Sequence, residues 1–285
     1  MLNLFISTVS MEGPSNWQFG FQIPASPVME GIINFHHDLF YFLVVIGFFV
    51  IYMLGRCIYL FDKDKHTNNY IVLTHAPMLE IIWTIIPAII LVFIAIPSFS
   101  LLYSMDEIVE PLLNIKVIGH QWYWSYEFID SDYIFKDLLK TTGASNKVFN
   151  VGNNTVVSYD SYMVSTDSIT DRSERLLKVD NKLYVPVETN VRLLITAADV
   201  LHCWAVPALG VKLDACPGRL NQTMLYVKRP GTFYGQCSEI CGVNHGFMPI
   251  NVTSLDLLGD GTKLDALRSE GIVSLFYFFL KKKFA

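Results

Sequence analysis

Four side chains that bind soft metal ions lie within the twelve residues 237–248. The segment reads Cys-Ser-Glu-Ile-Cys-Gly-Val-Asn-His-Gly-Phe-Met, so it offers the thiols of Cys237 and Cys241, the imidazole of His245 and the thioether of Met248. Sulfur ligands together with imidazole select copper or zinc, and a thioether is a common weak ligand of copper. Because a thioether is a poor ligand for zinc, the segment predicts a copper site.

The number of ligands indicates how many copper ions the site holds. A mononuclear blue-copper centre uses one cysteine, two histidines and a weak axial ligand, whereas this segment has a second cysteine and lacks a second histidine. The best further candidate is His202, which ends a β-rich run upstream. If Cys237 and Cys241 both bridge two ions, each ion obtains two sulfurs, one imidazole and one weak ligand. Met248 and the backbone carbonyl of Glu239 can be the weak ligands, so the set predicts a dinuclear site.

This ligand set, with three further stretches, resembles subunit II of the mitochondrial-type haem-copper cytochrome c oxidases. The stretches are Gly-His-Gln-Trp-Tyr-Trp-Ser-Tyr-Glu at 119–127, Pro-Gly-Arg-Leu-Asn-Gln at 217–222, and Tyr-Gly-Gln at 234–236. With two hydrophobic segments upstream, the resemblance covers most of residues 15–255. It implies that the predicted dinuclear site is a CuA centre.

Composition predicts a membrane component. The 285 residues are 52% hydrophobic and only 16% charged, whereas soluble domains are roughly 45 to 50% apolar. Residues 39–60 are apolar apart from Arg56, and residues 81–103 carry no charge. At about 1.5 Å per residue, each segment can cross a hydrocarbon core of about 30 Å. We therefore expect a transmembrane hairpin of two helices rather than two buried core helices. Pro87 and Pro97 favour a kinked second helix packed against neighbours.

Flanking charges predict the orientation of this hairpin. The connection at 61–76 bears Lys63 and Lys65, and Arg56 lies just inside the first span. Positive charge near short loops marks the inner side of a membrane, and the opposite flanks are acidic, with Glu30, Asp38, Asp106, Glu107 and Glu110. Both termini and the large domain should therefore lie outside. For the resembling family that side is the mitochondrial intermembrane space, and a bacterial plasma membrane is the less favoured setting.

Short alternating runs after residue 112 predict an antiparallel β domain. Their spacing suits a Greek-key sandwich or barrel, and the resemblance implies a cupredoxin-like fold with metal-binding loops at one end. Residues 136–175 are rich in Asn, Ser, Thr and Asp, which predicts an inserted surface loop. The predicted strands are 114–119, 122–129, 182–186, 191–197, 224–228, 232–236 and 249–253.

These patterns divide the chain into four parts. We expect an outer N-terminal segment at 1–38, the transmembrane hairpin at 39–104, the copper domain at 105–260 and a C-terminal extension at 261–285. The apolar tail at 272–280 is too short to span a membrane, so it is either a docking segment or a disordered end. No structural disulfide is expected, because two of the five cysteines are better used as ligands. Cys203 and Cys216 are expected to be small buried or near-site residues, and Cys57 lies in the first span.

The resemblance also assigns roles to residues around the copper site. It implies that Trp122 is the exposed residue where electrons enter from cytochrome c, and strand alternation predicts Trp122 and Trp124 on one face. Nearby acids would steer a basic partner, which a net charge of −5 weakly supports. These acids are Glu127, Asp130, Asp132 and Asp199. For Asp130 and Asp132 the alternative is ordinary loop charges.

Three more charged residues have roles by resemblance. The carboxylate of Glu239 would bind a magnesium ion shared with subunit I, since magnesium prefers oxygen ligands; a solvated or salt-bridged glutamate is the alternative. Glu80, one turn into the second span, would lie at the mouth of a proton-uptake path, unless it only snorkels to the interface. Arg219 would tie the copper domain to the haem propionates, or would form a structural salt bridge.

The sequence thus predicts a subunit that takes single electrons from cytochrome c at CuA and passes them to haem in subunit I. There oxygen is reduced to water and protons are pumped, so the whole assembly is an oxidoreductase and translocase. This chain alone should do no oxygen chemistry. Its partners would be cytochrome c, the other oxidase subunits and membrane lipid, but no nucleic acid.

Three alternatives share part of this pattern. Subunit II of a quinol oxidase lacks the copper ligands, which are intact here. A membrane-anchored copper-delivery or sensing protein would have no use for the Trp122 and Glu80 features. The copper domain of a nitrous oxide reductase shares the cysteine loop but does not need the membrane hairpin.

Overall fold

The computed structural model describes residues 11–62, 74–107, 110–130, 147–151, 154–169 and 171–255. The chain divides into two compact units, of which one is the helical hairpin Gly31–Ser104. The other contains the described residues before and after that hairpin. The helices are α1 Pro27–Leu60 and α2 Pro77–Asp106. The strands are β1 Met11–Glu12, β2 Leu113–His120, β3 Tyr123–Asp130, β4 Lys147–Val151, β5 Asn154–Ser161, β6 Leu183–Pro186, β7 Asn190–Ala197, β8 His202–Val206, β9 Val211–Ala215, β10 Asn221–Tyr226, β11 Gly231–Cys237 and β12 Pro249–Leu255.

The two helices are long, apolar and almost wholly exposed. They contain 34 and 30 residues, and by length and composition each could cross a membrane. Met29 is the one buried residue among the described residues of both helices. So much exposed apolar surface is unfavourable in water and favourable in lipid. Both helices extend beyond the predicted spans 39–60 and 81–103, and α2 stays helical through Pro87 and Pro97.

Within the described residues, the β domain contains two six-stranded sheets. One has the order β6-β12-β11-β8-β9, with β1 paired to β11, and the other has the order β10-β7-β2-β3-β5-β4. Three pairings are parallel, namely β2 with β7, β6 with β12 and β1 with β11. The other described pairings are antiparallel, so the prediction of an antiparallel domain holds for most strands but not for these three pairs. In each of these pairs long stretches of chain separate the strands, and only such crossovers can bring strands together in parallel.

The core lies between the two sheets and follows from strand alternation. In β7, Val191, Leu193 and Ile195 are buried while their neighbours are half-exposed, as expected when alternate side chains point to opposite faces. Large aromatic side chains fill the space between the sheets, including Trp204 and Phe233. The same buried cluster extends to Cys237, Cys241 and Met248. The core therefore includes three of the residues that the sequence predicts to bind copper.

The predicted surface loop at 136–175 contains two strands, β4 and β5, and this part of the prediction was wrong. Strand β5 pairs with β3 from Trp124↔Ser161 to Asp130↔Thr155. The polar residues of β5 are typical of a loop. The backbone hydrogen bonds that join β5 to β3, however, do not depend on side-chain polarity. The short strands β8 and β9 were also missed. Residues 131–146 and 256–285, with Asp132 and the C-terminal tail, lie outside the described part of the chain.

Residues 23–30, which we call the strap, pack on the β domain. The N–H of Ala25 donates to the carbonyl of Ala208 at 2.9 Å, and the carbonyl of Ala25 accepts from the N–H of Lys228 at 2.8 Å. The Lys228 ammonium also donates to both carboxylate oxygens of Glu30, at 2.7 and 2.9 Å. The strap therefore joins the β domain by backbone pairing and by an ion pair.

Ser26 belongs both to the start of α1 and to the contact with the β domain. Its hydroxyl donates to the carbonyl of Leu209 at 2.6 Å and accepts from the N–H of Met29 at 3.1 Å. A serine that accepts from the third helical N–H, followed by Pro27, is a favourable helix start. Opposite it, Gly210 has φ +66, and a Cβ there would lie 3.0 Å from the Met29 nitrogen. The first turn of α1 thus fits closely onto the turn at Pro207–Leu209.

We expect Gly235→Ala to destabilise the β domain. A Cβ at this position would lie 2.0 Å from the carbonyl oxygen of Ala205 on β8, and backbone cannot move aside cheaply. Overpacking of this kind costs about 1–3 kcal/mol or more. Thermal unfolding of the full chain in detergent should show a melting temperature lower by several degrees. Gly20→Ala is the control, because nothing lies within 4 Å of its Cβ and both changes restrict the unfolded chain alike. Equal melting temperatures would contradict this account.

Candidate metal centre

Two thiols and one imidazole meet at one end of the sandwich. The sulfurs of Cys237 and Cys241 are 4.0 Å apart, and Nδ1 of His202 is 3.9 Å from the sulfur of Cys237. All three residues are buried, and their ligand atoms lie within 4.8 Å of one another. Soft donors gathered this closely, with little water around them, are suited to a metal ion.

The other predicted ligands surround this group. Nδ1 of His245 lies 3.5 Å from the sulfur of Cys241, and the thioether sulfur of Met248 lies 3.6 Å from the same atom. On the other side, the carbonyl oxygen of Glu239 is 3.4 Å from the sulfur of Cys237. Each thiol therefore has one imidazole and one weak donor beside it. The structure brings all six predicted copper ligands together.

The distances fit metal ions shared between the two sulfurs. A metal–thiolate bond is about 2.3 Å long, so one ion can bind two sulfurs up to about 4.6 Å apart. The 4.0 Å between Cys237 and Cys241 satisfies this limit. Similarly, a metal–imidazole bond of about 2.0 Å allows a sulfur and a nitrogen up to about 4.3 Å apart. The distances from Cys237 to His202 and from Cys241 to His245 are both shorter.

Strand pairing brings the two ligand segments together. Strands β8 and β11 are antiparallel, and Cys237 at the end of β11 lies opposite Trp204 on β8. Alternation along β8 then puts His202 on the same face as Trp204, at the end of that strand. After Cys237 the chain continues as a short loop and the 3₁₀ turn His245–Phe247 before β12 begins. Gly242 in that loop has φ +117, which favours glycine.

The two thiols differ in acidity. Burial raises the pKa of Cys237, but hydrogen bonds from His202, from backbone groups and from His245 outweigh it and lower the pKa to about 7. Burial, together with the neighbouring Cys237 thiolate, raises the pKa of Cys241 to about 12. The site therefore favours ionisation of one thiol over the other, and binding of a metal to both sulfurs must displace the remaining proton.

Asp199 orients the His202 imidazole. Its Oδ1 lies 2.9 Å from Nε2 of His202, the ring nitrogen that faces away from the thiols, and accepts from the N–H of Val200 at 2.6 Å. Its Oδ2 accepts from the N–H of Gln121 at 2.7 Å. Burial opposes ionisation, but these hydrogen bonds hold the pKa of Asp199 below its usual range. A carboxylate in this position fixes the ring of a metal-binding histidine.

The sequence prediction gave Asp199 a docking role and missed its hydrogen bond to His202. The available signal was an aspartate three residues before a candidate histidine ligand, because such carboxylate–histidine pairs recur at metal sites. The same contacts raise the pKa of His202: burial alone would lower it, and the hydrogen bonds to Cys237 and Asp199 outweigh burial.

Trp122 touches the cysteine loop directly. Its indole N–H donates to the carbonyl of Cys241 at 3.2 Å, and the Gln121 side chain donates to the same oxygen at 2.9 Å. A Cβ at Gly242 would lie 3.1 Å from the Trp122 ring, so the ring packs closely on the loop. Trp122 lies just before β3 rather than within it, and it is half-buried. Its ring therefore connects the surface with the backbone of a ligand residue.

An open cleft of about 440 Å³ lies beside Trp122. Its lining consists of Trp122, Tyr162, Met163, Asn244 and Phe247. Tyr162 stacks on Tyr123 with ring centroids 4.5 Å apart. An aromatic surface of this kind, with some polar groups, suits contact with another protein.

The remaining predicted residues are not members of the ligand cluster, or they are beyond what the structure describes. Glu127 forms an ion pair with Lys116, at 2.9 Å, which partly neutralises its charge. The Asp130 side chain, like Asp132, lies outside the described part of the chain. Glu80 is exposed in the first turn of α2, and Arg219 is exposed after the turn at Gly218.

The other cysteines are in the settings that the sequence predicts. Cys203 is buried and Cys216 is half-buried, and burial raises the pKa of Cys203 to about 12. Cys57 lies in α1, on its exposed surface. All five cysteines are free thiols.

Taken together, a two-helix apolar hairpin and a β-sandwich with thiols, imidazoles and a thioether at one end define a membrane-anchored, cupredoxin-like copper protein. Two family descriptions match the chain. "Cytochrome C oxidase subunit II, transmembrane domain" matches residues 14–101, and "Cytochrome C oxidase subunit II, periplasmic domain" matches residues 113–255. The chain therefore belongs to the cytochrome c oxidase subunit II family. It is thus a subunit of an oxidoreductase complex and partners other oxidase subunits.

Curated relatives agree with this assignment. Cytochrome c oxidase subunit 2 of Phytophthora megasperma is 55% identical over 242 residues, which are 85% of this chain and 84% of the relative. The same subunit of Chondrus crispus is 49% identical over 257 residues, or 90% and 94% of the two chains. Among solved structures, the periplasmic domain of subunit II from Bradyrhizobium japonicum is 38% identical, with a TM-score of 0.42, and the match covers 63% of this chain and 100% of that one. The predicted family and fold class are confirmed.

We expect Asp199→Asn to weaken copper binding, because His202 loses the carboxylate that fixes its ring. Changes of such supporting residues reduce metal affinity about 10- to 100-fold. Competition between the full-length protein and a copper chelator measures the loss. Asp180→Asn is the matched control, since Asp180 also accepts backbone N–H groups, from Tyr162 and Asn181. Equal affinities for the two variants would show that Asp199 does not support the site.

Proposed function

We propose that this chain is the subunit of a cytochrome c oxidase through which electrons enter. It accepts single electrons from cytochrome c at a dinuclear CuA centre and passes them to haem in subunit I. The observation that carries the proposal is the arrangement of Cys237 and Cys241, whose sulfurs are 4.0 Å apart, each with its own imidazole and weak donor. This is the ligand count that two copper ions sharing two thiolates require.

The chain's residues prepare the site for this role. Cys237 and Cys241 would hold a copper pair through polarizable thiolates, and such a pair would share the charge of one electron with little nuclear rearrangement. The protein buries Cys237, Cys241 and Met248 in its core, which excludes water from the sulfurs. Asp199 fixes the ring of His202. A ligand set held in this way does not need to reorganise when the charge changes.

The position of Trp122 supports its role as the point where electrons enter. The indole is partly exposed and donates to the Cys241 carbonyl at 3.2 Å. One hydrogen bond therefore separates the surface ring from the backbone of a ligand cysteine. The cleft beside the ring gives a protein partner a place to pack.

Docking of cytochrome c would use the acidic field around this surface. Steering by such a field depends on summed charge and weakens with salt. Glu127 contributes less than its formal charge to this field because Lys116 pairs with it. The carboxylate of Asp199 is already engaged in hydrogen bonds with His202 and with the backbone. The contributions of Asp130 and Asp132 stay predictions.

The roles of Glu239 and Glu80 also stay predictions. The Glu239 carbonyl lies beside the sulfur of Cys237, which leaves its half-exposed side chain free for magnesium at the border with subunit I. Glu80 lies near the end of α2 that the charge pattern predicts to be inside, as a residue at a proton-uptake mouth must. The oxidase would thereby couple oxygen reduction to proton pumping.

We place the protein in the mitochondrial inner membrane, with the copper domain and both termini in the intermembrane space. One relative, from Vigna unguiculata, is named as mitochondrial and is 50% identical over 86% of this chain. The strap supports the placement of the N-terminal segment and the copper domain on the same side of the membrane, because residues 23–30 hydrogen-bond to Ala208, Leu209 and Lys228. The boundaries at residues 38, 104 and 260 stay predictions.

The proposal predicts a mixed-valence copper centre. Full-length protein in detergent, loaded with copper, should bind about two copper ions per chain, in line with its ligand count, and give an electron paramagnetic resonance signal of one electron shared by both. Cys241→Ser should abolish this signal, because one bridging sulfur is lost, and Cys216→Ser should keep it. A signal from one isolated copper in the wild type would contradict the proposal and favour a copper-delivery or sensing protein.

The role of Trp122 predicts a kinetic defect without a change at copper. An oxidase that carries Trp122→Phe in this subunit should accept electrons from cytochrome c at a small fraction of the wild-type rate, because the indole contact with Cys241 is lost. Stopped-flow reduction measures the rate, and copper spectra should be unchanged. Trp17→Phe is the control, since Trp17 is 93% exposed and contacts no ligand residue. A normal rate for Trp122→Phe would rule out this path.

A further inference from the structure

Trp124 lies against the ligand cluster but belongs to the opposite sheet. It is the second residue of β3 and is fully buried. The ligand residues His202, Cys237 and Met248 belong to, or border, strands β8, β11 and β12 of the other sheet. Trp124 therefore reaches across the sandwich to that end of the core. This contact does not follow from the cysteine motif or from the pairing of β8 with β11.

Trp124 and Gly119 form a slot for the His202 ring. The two residues are cross-strand partners on β2 and β3, so their side-chain positions lie on one face. A Cβ at Gly119 would be 2.8 Å from Cδ2 and 3.0 Å from Cγ of His202. The Trp124 ring meets the imidazole edge to face, with centroids 5.9 Å apart and planes at 64°. A glycine opposite a tryptophan thus leaves room that the imidazole occupies.

The Trp124 indole also contacts Met248, the predicted weak ligand. Nε1 of Trp124 donates to the backbone carbonyl of Met248 at 3.3 Å, and both residues are buried. A buried carbonyl that loses its donor costs about 1–3 kcal/mol, so this bond resists movement of Met248. One side chain therefore contacts two ligand residues that are 46 positions apart in the chain.

We infer that the pair Gly119–Trp124 is a positioning element for the copper centre, which sets the placement of the His202 imidazole relative to the Met248 thioether. This inference rests on the proposed CuA function. Groups that hold the ligands of a copper site, and the weak axial ligand itself, tune its electronic structure and potential. Trp124 acts through its neighbours and is not itself a ligand. A residue that merely filled the core would affect stability alone.

The test compares Trp124→Phe with Tyr126→Phe in the copper-loaded, full-length protein. Tyr126 lies on the same strand and face, is fully buried, and accepts from Trp204 at 3.5 Å. Both variants thus lose one buried hydrogen bond and retain an aromatic ring. Trp124→Phe should keep the copper content and the mixed-valence signal, but shift the copper hyperfine splitting and the reduction potential. Tyr126→Phe should have wild-type values of both, whatever its melting temperature.

The outcomes separate this inference from the function on which it rests. A wild-type protein without the mixed-valence signal would overturn the function itself. If the wild type gives the mixed-valence signal, two results would overturn only the positioning role. One is unchanged hyperfine splitting and reduction potential in Trp124→Phe, and the other is equal shifts in Tyr126→Phe. If Trp124→Phe does not fold, Gly119→Ala decides, because its added Cβ moves the imidazole directly. In Gly119→Ala the hyperfine couplings of the histidine nitrogens should change. Unchanged couplings would overturn the inference that Gly119 and Trp124 position the His202 ring.

Discussion

The metal centre depends on a short antiparallel pairing between β8 and β11. Only Gln236↔Ala205 and Cys237↔Trp204 are in register there, yet this contact brings together two segments that are 35 positions apart. Beyond the last pair, the N–H of Ser238 still donates to the Cys203 carbonyl at 3.1 Å. The histidine at the end of one strand therefore meets the cysteine at the end of the other. The contacts that the loops, the Asp199 carboxylate and the opposite sheet make with the ligands all depend on this alignment.

Around that alignment, backbone groups hold the site as much as side chains do. The Cys241 carbonyl accepts from both Gln121 and Trp122, and the Met248 carbonyl accepts from Trp124. All three donors come from one short segment of the opposite sheet and its preceding turn. Satisfied buried carbonyls resist displacement, since an unpaired one is costly. The ligand loop is therefore held in place through its backbone carbonyls as well as by its side chains.

The sequence predicted the local features of this protein well and its long-range features poorly. The candidate copper ligands could be named from the sequence because donor chemistry is a property of residue type, and four of them lie in one short segment. The hairpin and the sandwich followed from hydrophobic length and alternation. The hydrogen bond from His202 to Asp199, the Trp124 contact with Met248 and the parallel pairing of β2 with β7 depend on tertiary packing. Strand β5 was missed because its polar residues favour a loop until β3 offers hydrogen bonds.

The strap has a consequence for the order in which the protein is made. Ser26 and Glu30 contact residues that follow them by 183 and 198 positions, so the strap cannot pack until these later residues have been synthesised. Both helices are synthesised in between. Closing so long a loop carries an entropic cost, which falls if membrane insertion has already brought the two ends to one side. The strap therefore packs onto the copper domain at a lower entropic cost once the hairpin is inserted, so insertion favours completion of the domain surface.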